Sequence, residues 1–236
     1  MSFDRKMKNE GQTINIAMPD FKSLMGGSGD GVFPDPELYD YYREMSQREI
    51  WISGEIDDSA VRYAKAILRY NQEDEGIPAE ERKPIKVVLD TCGGDVTVMW
   101  TIITMIEKSV TPVYTINFSQ ALSAGSYILA AGHKRFTFPG AVTLIHSGSV
   151  GINGDKEKVE SAQKFFNALT KKASDFLLSK TKIDPRVMKK KAPNDWYLDA
   201  DEALEVGLVD AIIYNFDEKS FELPDKKEEA NEEQQQ

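Results

Sequence analysis

One pattern, used twice, constrains this chain more than anything else in it: an apolar run, a turn of small residues, then a helix. Residues 85–89 (IKVVL) are almost continuously apolar, as in a strand covered on both faces. Thr91-Cys92-Gly93-Gly94 follows as a turn, and a helix is predicted over about 96–107. Residues 112–117 form the second strand, with a turn and a helix near 124–131 after it. Around this pair, 49–53 (EIWIS) reads as a short strand. Asp57-Asp58-Ser59 suits the cap of a helix over 60–72, where apolar residues recur at spacings of three and four. Residues 135–138 and 142–145 read as short strands and 155–179 as a long helix. Asp184-Pro185 opens a short helix, and 200–206 leads as a helix into a last apolar run, 208–213. This βαβ rhythm predicts an α/β fold with a mainly parallel sheet and helices around it.

Each of the two turns places backbone N–H groups at a helix start, where they lack internal acceptors and carry the positive end of the helix dipole. Two such starts side by side would form an anion pocket. Gly94 lets its N–H approach a ligand closely, and Ala124 would offer the second N–H. A Gly-Gly pair alone more often just makes a turn. Ser123 directly precedes Ala124, so a hydroxyl falls beside these donors; Ser is equally a favoured helix cap. A serine nucleophile needs a base, and the chain has only two histidines. His133 sits in a polar turn and is expected to be solvated. His146 closes the apolar strand 142–145 and suits a base with an ordinary pKa of about 6.5. The orienting acid is not fixed by composition, since 39 carboxylates compete. Asp195 stands out for its place between Asn194 and Trp196-Tyr197, a context that suggests a partly buried acid. Cys92 leaves an apolar strand with no basic neighbour and reads as an inert small side chain. The segment Ala121-Leu122-Ser123-Ala124-Gly125 approaches the G-x-S-x-G elbow of α/β-hydrolases. That fold places its histidine late in the chain, and none follows His146 here.

Composition excludes several classes. With 29 basic and 39 acidic residues among 236, the net charge of −10 argues against general affinity for nucleic acid backbone. No apolar run approaches the roughly 18 residues that span a bilayer, and no secretory leader or membrane partner is expected. A single cysteine makes a reducing cytoplasm the expected location. Residues 217–236 carry eight acidic and three basic residues, half of the net charge, so 216–236 is read as a disordered acidic tail. Residues 1–36, with the run MGGSGDGVFPDP, are read as a flexible lead-in, leaving 37–215 as the folded domain.

Between residues 39 and 213 the chain resembles the Clp protease proteolytic subunit (ClpP) family. YDYYREMSQREIWISGEID is similar to the family's opening helix and first strand, and DTCGGDV to its Pro-Gly-Gly oxyanion turn with Cys92 in place of the proline. SQALSAGSYILAAG resembles the nucleophile segment, LIHSG the histidine segment, and PNDWYLDADEALEVGLVDAII the aspartate segment and closing strand. Gly148 stands where the family usually has proline, and Asn194 where it has a basic residue of the ring-to-ring contacts. The first 36 residues do not match the loops of the family's axial pore. The resemblance implies a ClpP/crotonase-like spiral of βαβ units with a long handle helix. By it Ser123 is the nucleophile, His146 the base, Asp195 the orienting acid, and Gly94 and Ala124 the oxyanion donors. It implies a serine endopeptidase that cuts unfolded proteins inside two stacked seven-membered rings of this chain. ATP would be used only by a separate Clp unfoldase, and the subunit itself would hold no cofactor or metal. Two other readings are a ClpP-like protease maturing viral capsid proteins, and a crotonase-like acyl-CoA enzyme or inactive ring subunit.

Overall fold

The computed structural model describes residues 36–149 and 151–222. Residues 1–35 of the expected lead-in and most of the acidic tail lie outside these residues. Contacts divide the chain between Gln47 and Arg48. In the first unit, helix α1 (Pro36–Gln47) starts with a proline, which suits a position whose N–H has no helical acceptor.

The second unit is built on one sheet. Strands β1 (Glu49–Ile56), β2 (Ile85–Gly94), β3 (Val113–Leu122), β4 (Lys134–Thr137) and β7 (Ala211–Ile212) run in that order, all parallel. β3 forks: Tyr114 to Asn117 pair with β4, whereas Gln120 to Leu122 pair with β5 (Val142–Ile145). β5 in turn pairs antiparallel with β6 (Trp196–Leu198). At the fork the buried Asn117 amide donates to the Val142 carbonyl at 3.1 Å and to the Thr143 hydroxyl at 3.2 Å, which fastens the branch.

Alternation along β2 sends Val87 and Leu89 to one face and Val88 to the other. The first face is covered by α2 (Val61–Glu73), α3 (Val96–Lys108) and α4 (Ala124–Ala131). α3 alone buries Val98, Met99, Ile102, Ile103 and Ile106 there, each burial stabilising by roughly 1.5–3 kcal/mol before ordering entropy is subtracted. Helix α5 (Lys156–Lys180) adds only Ala173 and Leu177 as buried residues, and Phe165 on its first half is 63% exposed. The opposite face of the sheet carries an aromatic layer in which Tyr114, Phe136 and Phe221 meet edge to face or tilted.

The α/β expectation holds, with local corrections. Gly93 and Gly94 are not a turn after β2 but its last two residues, paired with Glu55 and Ile56. β3 runs five residues past the expected end at 117. β6 is not visible in the sequence, because three residues are too few to show a period. The 3-10 turn Asp58–Ala60 stands between the Asp57 cap and α2. The folded part also passes 215: Phe216 stacks on Phe138, and the turn Glu218–Phe221 buries Phe221 against Phe136. Net charge favoured a tail there, but two aromatic side chains supply enough apolar area to dock these residues. His133 keeps an exposed edge, yet its Nδ1 accepts the Val113 N–H at 3.0 Å, so the ring is not simply solvated. No helix among the described residues is long and apolar enough to cross a membrane.

Candidate active site

Two strand ends meet at the site. Thr91, fully buried near the end of β2, donates its hydroxyl to the Gly54 carbonyl and accepts the Gly93 N–H at 3.0 Å. Its methyl is so close to Gly125 that a Cβ there would lie 2.6 Å away, so β2 and the first turn of α4 touch through a glycine. Gly93 and Gly94 are likewise required by close backbone, at two different contacts. A Cβ on Gly93 (φ 92°) would lie 2.6 Å from the Leu122 carbonyl oxygen and 2.7 Å from the Ser123 Cβ. On Gly94 (φ 151°) it would lie 2.2 Å from the Ile56 carbonyl oxygen. At Gly93 the backbone of β2 is therefore pressed against the start of α4, and at Gly94 against the end of β1.

Ser123 sits between β3 and α4 at φ 53° and ψ −120°, a strained conformation for a residue with a side chain. It occupies the N-cap position but its hydroxyl makes no cap bond. The Oγ instead lies 2.6 Å from the Nε2 of His146. The hydroxyl therefore bonds the imidazole and not the helix. The backbone around it is held by the Ser123 N–H bond to the Leu144 carbonyl at 3.0 Å and by two bonds from Ser126 to the Ser123 carbonyl.

His146 leaves β5 and is partly exposed. With Nε2 accepting from the hydroxyl, the ring proton belongs on Nδ1, the side that faces Asp195. The Asp195 Oδ1 is 3.6 Å from that nitrogen, longer than a hydrogen bond, and the Asp195 side chain is 60% exposed. The expectation of a partly buried acid is corrected: Trp196 beside it is buried, while the carboxylate points to water. Tyr127, one helical turn after Ser123, donates its hydroxyl to the His146 carbonyl at 3.3 Å, and burial pushes its pKa up to about 12. Sequence reading missed Tyr127; its four-residue spacing from Ser123 on α4 was the available signal. It also missed Gly93, whose contact depends on two strands meeting.

Gly94, Ser123, Ala124 and His146 all line one cleft of about 510 Å³, with Met99 and Phe166 among its apolar walls. Ala124 is the first residue of α4, so its N–H has no acceptor within the helix. The Asp95 N–H donates to the Ile56 carbonyl at 2.7 Å, and successive strand amides alternate sides, so the Gly94 N–H turns away from β1. Cys92 is exposed at the edge of the same cleft. Among the described residues no three His, Cys, Asp or Glu side chains gather as a metal site.

A serine hydroxyl on a strained strand-to-helix turn, bonded to a histidine within a mainly parallel α/β sheet, defines a serine hydrolase. The sequence profile described as Clp protease matches residues 35–216. Over 201 residues the chain is 31% identical to the ATP-dependent Clp protease proteolytic subunit 2 of Treponema pallidum (strain Nichols), covering 84% of this chain and 93% of that one. It is 32% identical over 173 residues to the protein of the same name in Treponema denticola, covering 72% of this chain and 84% of that one. The chain belongs to the Clp protease family and is a ClpP-type serine peptidase. Membership favours this reading over the capsid-maturation and crotonase-type alternatives.

Proposed function

We propose that the chain hydrolyses peptide bonds with Ser123 as nucleophile, His146 as general base and Asp195 as the acid that orients it. The observation that carries this reading is the 2.6 Å contact between the Ser123 Oγ and the His146 Nε2, made by a hydroxyl that forms no cap bond. As Oγ attacks the scissile carbonyl carbon, its proton passes to Nε2. The negative oxygen so formed takes hydrogen bonds from the N–H groups of Gly94 and Ala124. His146 then returns the proton to the leaving amine as the C–N bond breaks. Water repeats the sequence on the acyl-enzyme, releasing the acid and restoring Ser123. The preorganised amide pair matters because losing one oxyanion donor typically costs about 10²–10³ in rate.

The same reading makes this chain the proteolytic subunit of an oligomeric chamber, in two stacked rings of seven, served by a separate ATP-driven unfoldase. The names of the Treponema relatives support the ATP-dependent partnership. The thinly buried first half of α5, with Phe165 63% exposed, supports contact between copies along that helix. Unfolded protein would be the substrate.

Ser123→Ala tests the chemistry. Cleavage of a dye-labelled unfolded protein is expected to disappear while circular dichroism and light scattering match the wild type. Cleavage at the wild-type rate would overturn the assignment.

A further inference from the structure

The backbone around His146 and Asp195 is fastened at two places. Ile145 pairs with Trp196 in the antiparallel β5–β6 ladder. On the other side, the Ala192 carbonyl accepts both the Ser147 N–H at 2.8 Å and the Ser147 hydroxyl at 3.0 Å. His146 lies between Ile145 and Ser147, and Asp195 lies between Ala192 and Trp196. The two side chains therefore belong to one closed loop of chain, locked at 145/196 and at 147/192.

We propose that Ser147 is a positioning residue whose hydroxyl sets the separation of His146 and Asp195. Ala192 is a firm post for this grip: it is 8% exposed and ends the short helix α6 (Pro185–Lys191), whose Met188 is buried in the core. From it the chain turns through an Asn194 N–H bond to the Lys191 carbonyl at 3.0 Å and delivers Asp195 opposite the imidazole. No hydrogen bond among the described residues reaches the Asp195 carboxylate itself, so its place is set by the backbone on either side. Downstream, Gly148 (φ 78°) and Ser149 are also exposed and make no hydrogen bond among the described residues, so the grip on Ala192 is the fixed point that follows His146. A single N–H bond would let the 146–148 segment pivot; the hydroxyl adds a second point on the same acceptor.

This inference rests on the triad reading above, and its test separates the two. In steady-state cleavage of a short fluorogenic peptide by the full chain, Ser147→Ala is expected to lower kcat about 2- to 10-fold, the scale of one net hydrogen bond, with KM unchanged. Ser147→Thr, which keeps the hydroxyl, should restore the rate. In an Asp195→Asn background the same Ser147→Ala change should alter kcat by less than about twofold, because the two residues act on one interaction. Ser147 is exposed and keeps its N–H bond when truncated, so the fold is retained. An equal loss in both backgrounds, no loss in the wild type, or a loss that threonine does not rescue would overturn the proposal while leaving the triad standing. If Asp195→Asn alone leaves kcat unchanged, the triad reading falls, and this proposal with it.

Discussion

Ser123 leaves β3 among fully buried neighbours, Thr91 and Ala121 on one side and Ser126 on the other, whereas Asp195 stands with 60% of its side chain in water. The half that carries the proposed nucleophile is fixed by backbone pressed on backbone, with Gly93 and Gly94 leaving no space for a side chain. The acid half is fixed by a three-residue strand and one carbonyl that accepts two bonds. A strained serine persists only where its surroundings over-determine it, so the tight half has to be the one in the core. The exposed half is held at fewer points, which makes it the place where a single substitution can tune activity.

Gly94→Ala should have the largest effect. Its Cβ would collide with the Ile56 backbone, so the strand end must move and carry the proposed oxyanion donor with it. Peptidase kcat/KM is expected to fall by at least about 10²–10³, with a lower melting temperature. Wild-type activity would show that the core half is not tightly set. Asp195→Asn should be milder. The exposed, 3.6 Å contact predicts a loss on the order of 10², short of the ~10⁴ of a buried triad. A full ~10⁴ loss in single-turnover acylation would erase the difference between the halves.

The smallest effect concerns stability. Burial foremost, and then the Lys180 charge, outweigh Glu107 and lower the pKa of His133, whose Nδ1 accepts the Val113 N–H at the other end of β3 and α4. The neutral ring is the one that fits, so its contribution is present above the unfolded pKa of about 6.5 and is lost as pH falls below it. The urea midpoint should drop over that range in the wild type and drop less in His133→Gln. An equal drop in both would remove His133 from the explanation.

Much of this arrangement is legible in the sequence because strand and helix periods declare themselves in the well-covered elements. The apolar run of β2, the helices α3 and α4, and the long α5 needed nothing beyond residue spacing. The positions of Ser123 and His146 at strand ends follow from the same periods. The opposite is true wherever an outcome depends on what lies across the fold. Nothing local distinguishes Gly93 as a backing surface, since its neighbour is Leu122. β6 exists because β5 offers it a ladder, and Phe216 and Phe221 dock because Phe136 and Phe138 lie beneath them. The aromatic neighbours of Asp195 single it out among the carboxylates without fixing its role, and they point to the wrong burial: Trp196 turns into the core and leaves the acid outside.

Labelling of the full chain with a fluorophosphonate, followed by mass-spectrometric mapping of the adduct, reports most directly on whether the Ser123 hydroxyl is activated by His146. The adduct is expected on Ser123 in the wild type and is expected to be lost in His146→Ala. An adduct on any other residue, or equal labelling of Ser123 without the imidazole, would contradict it.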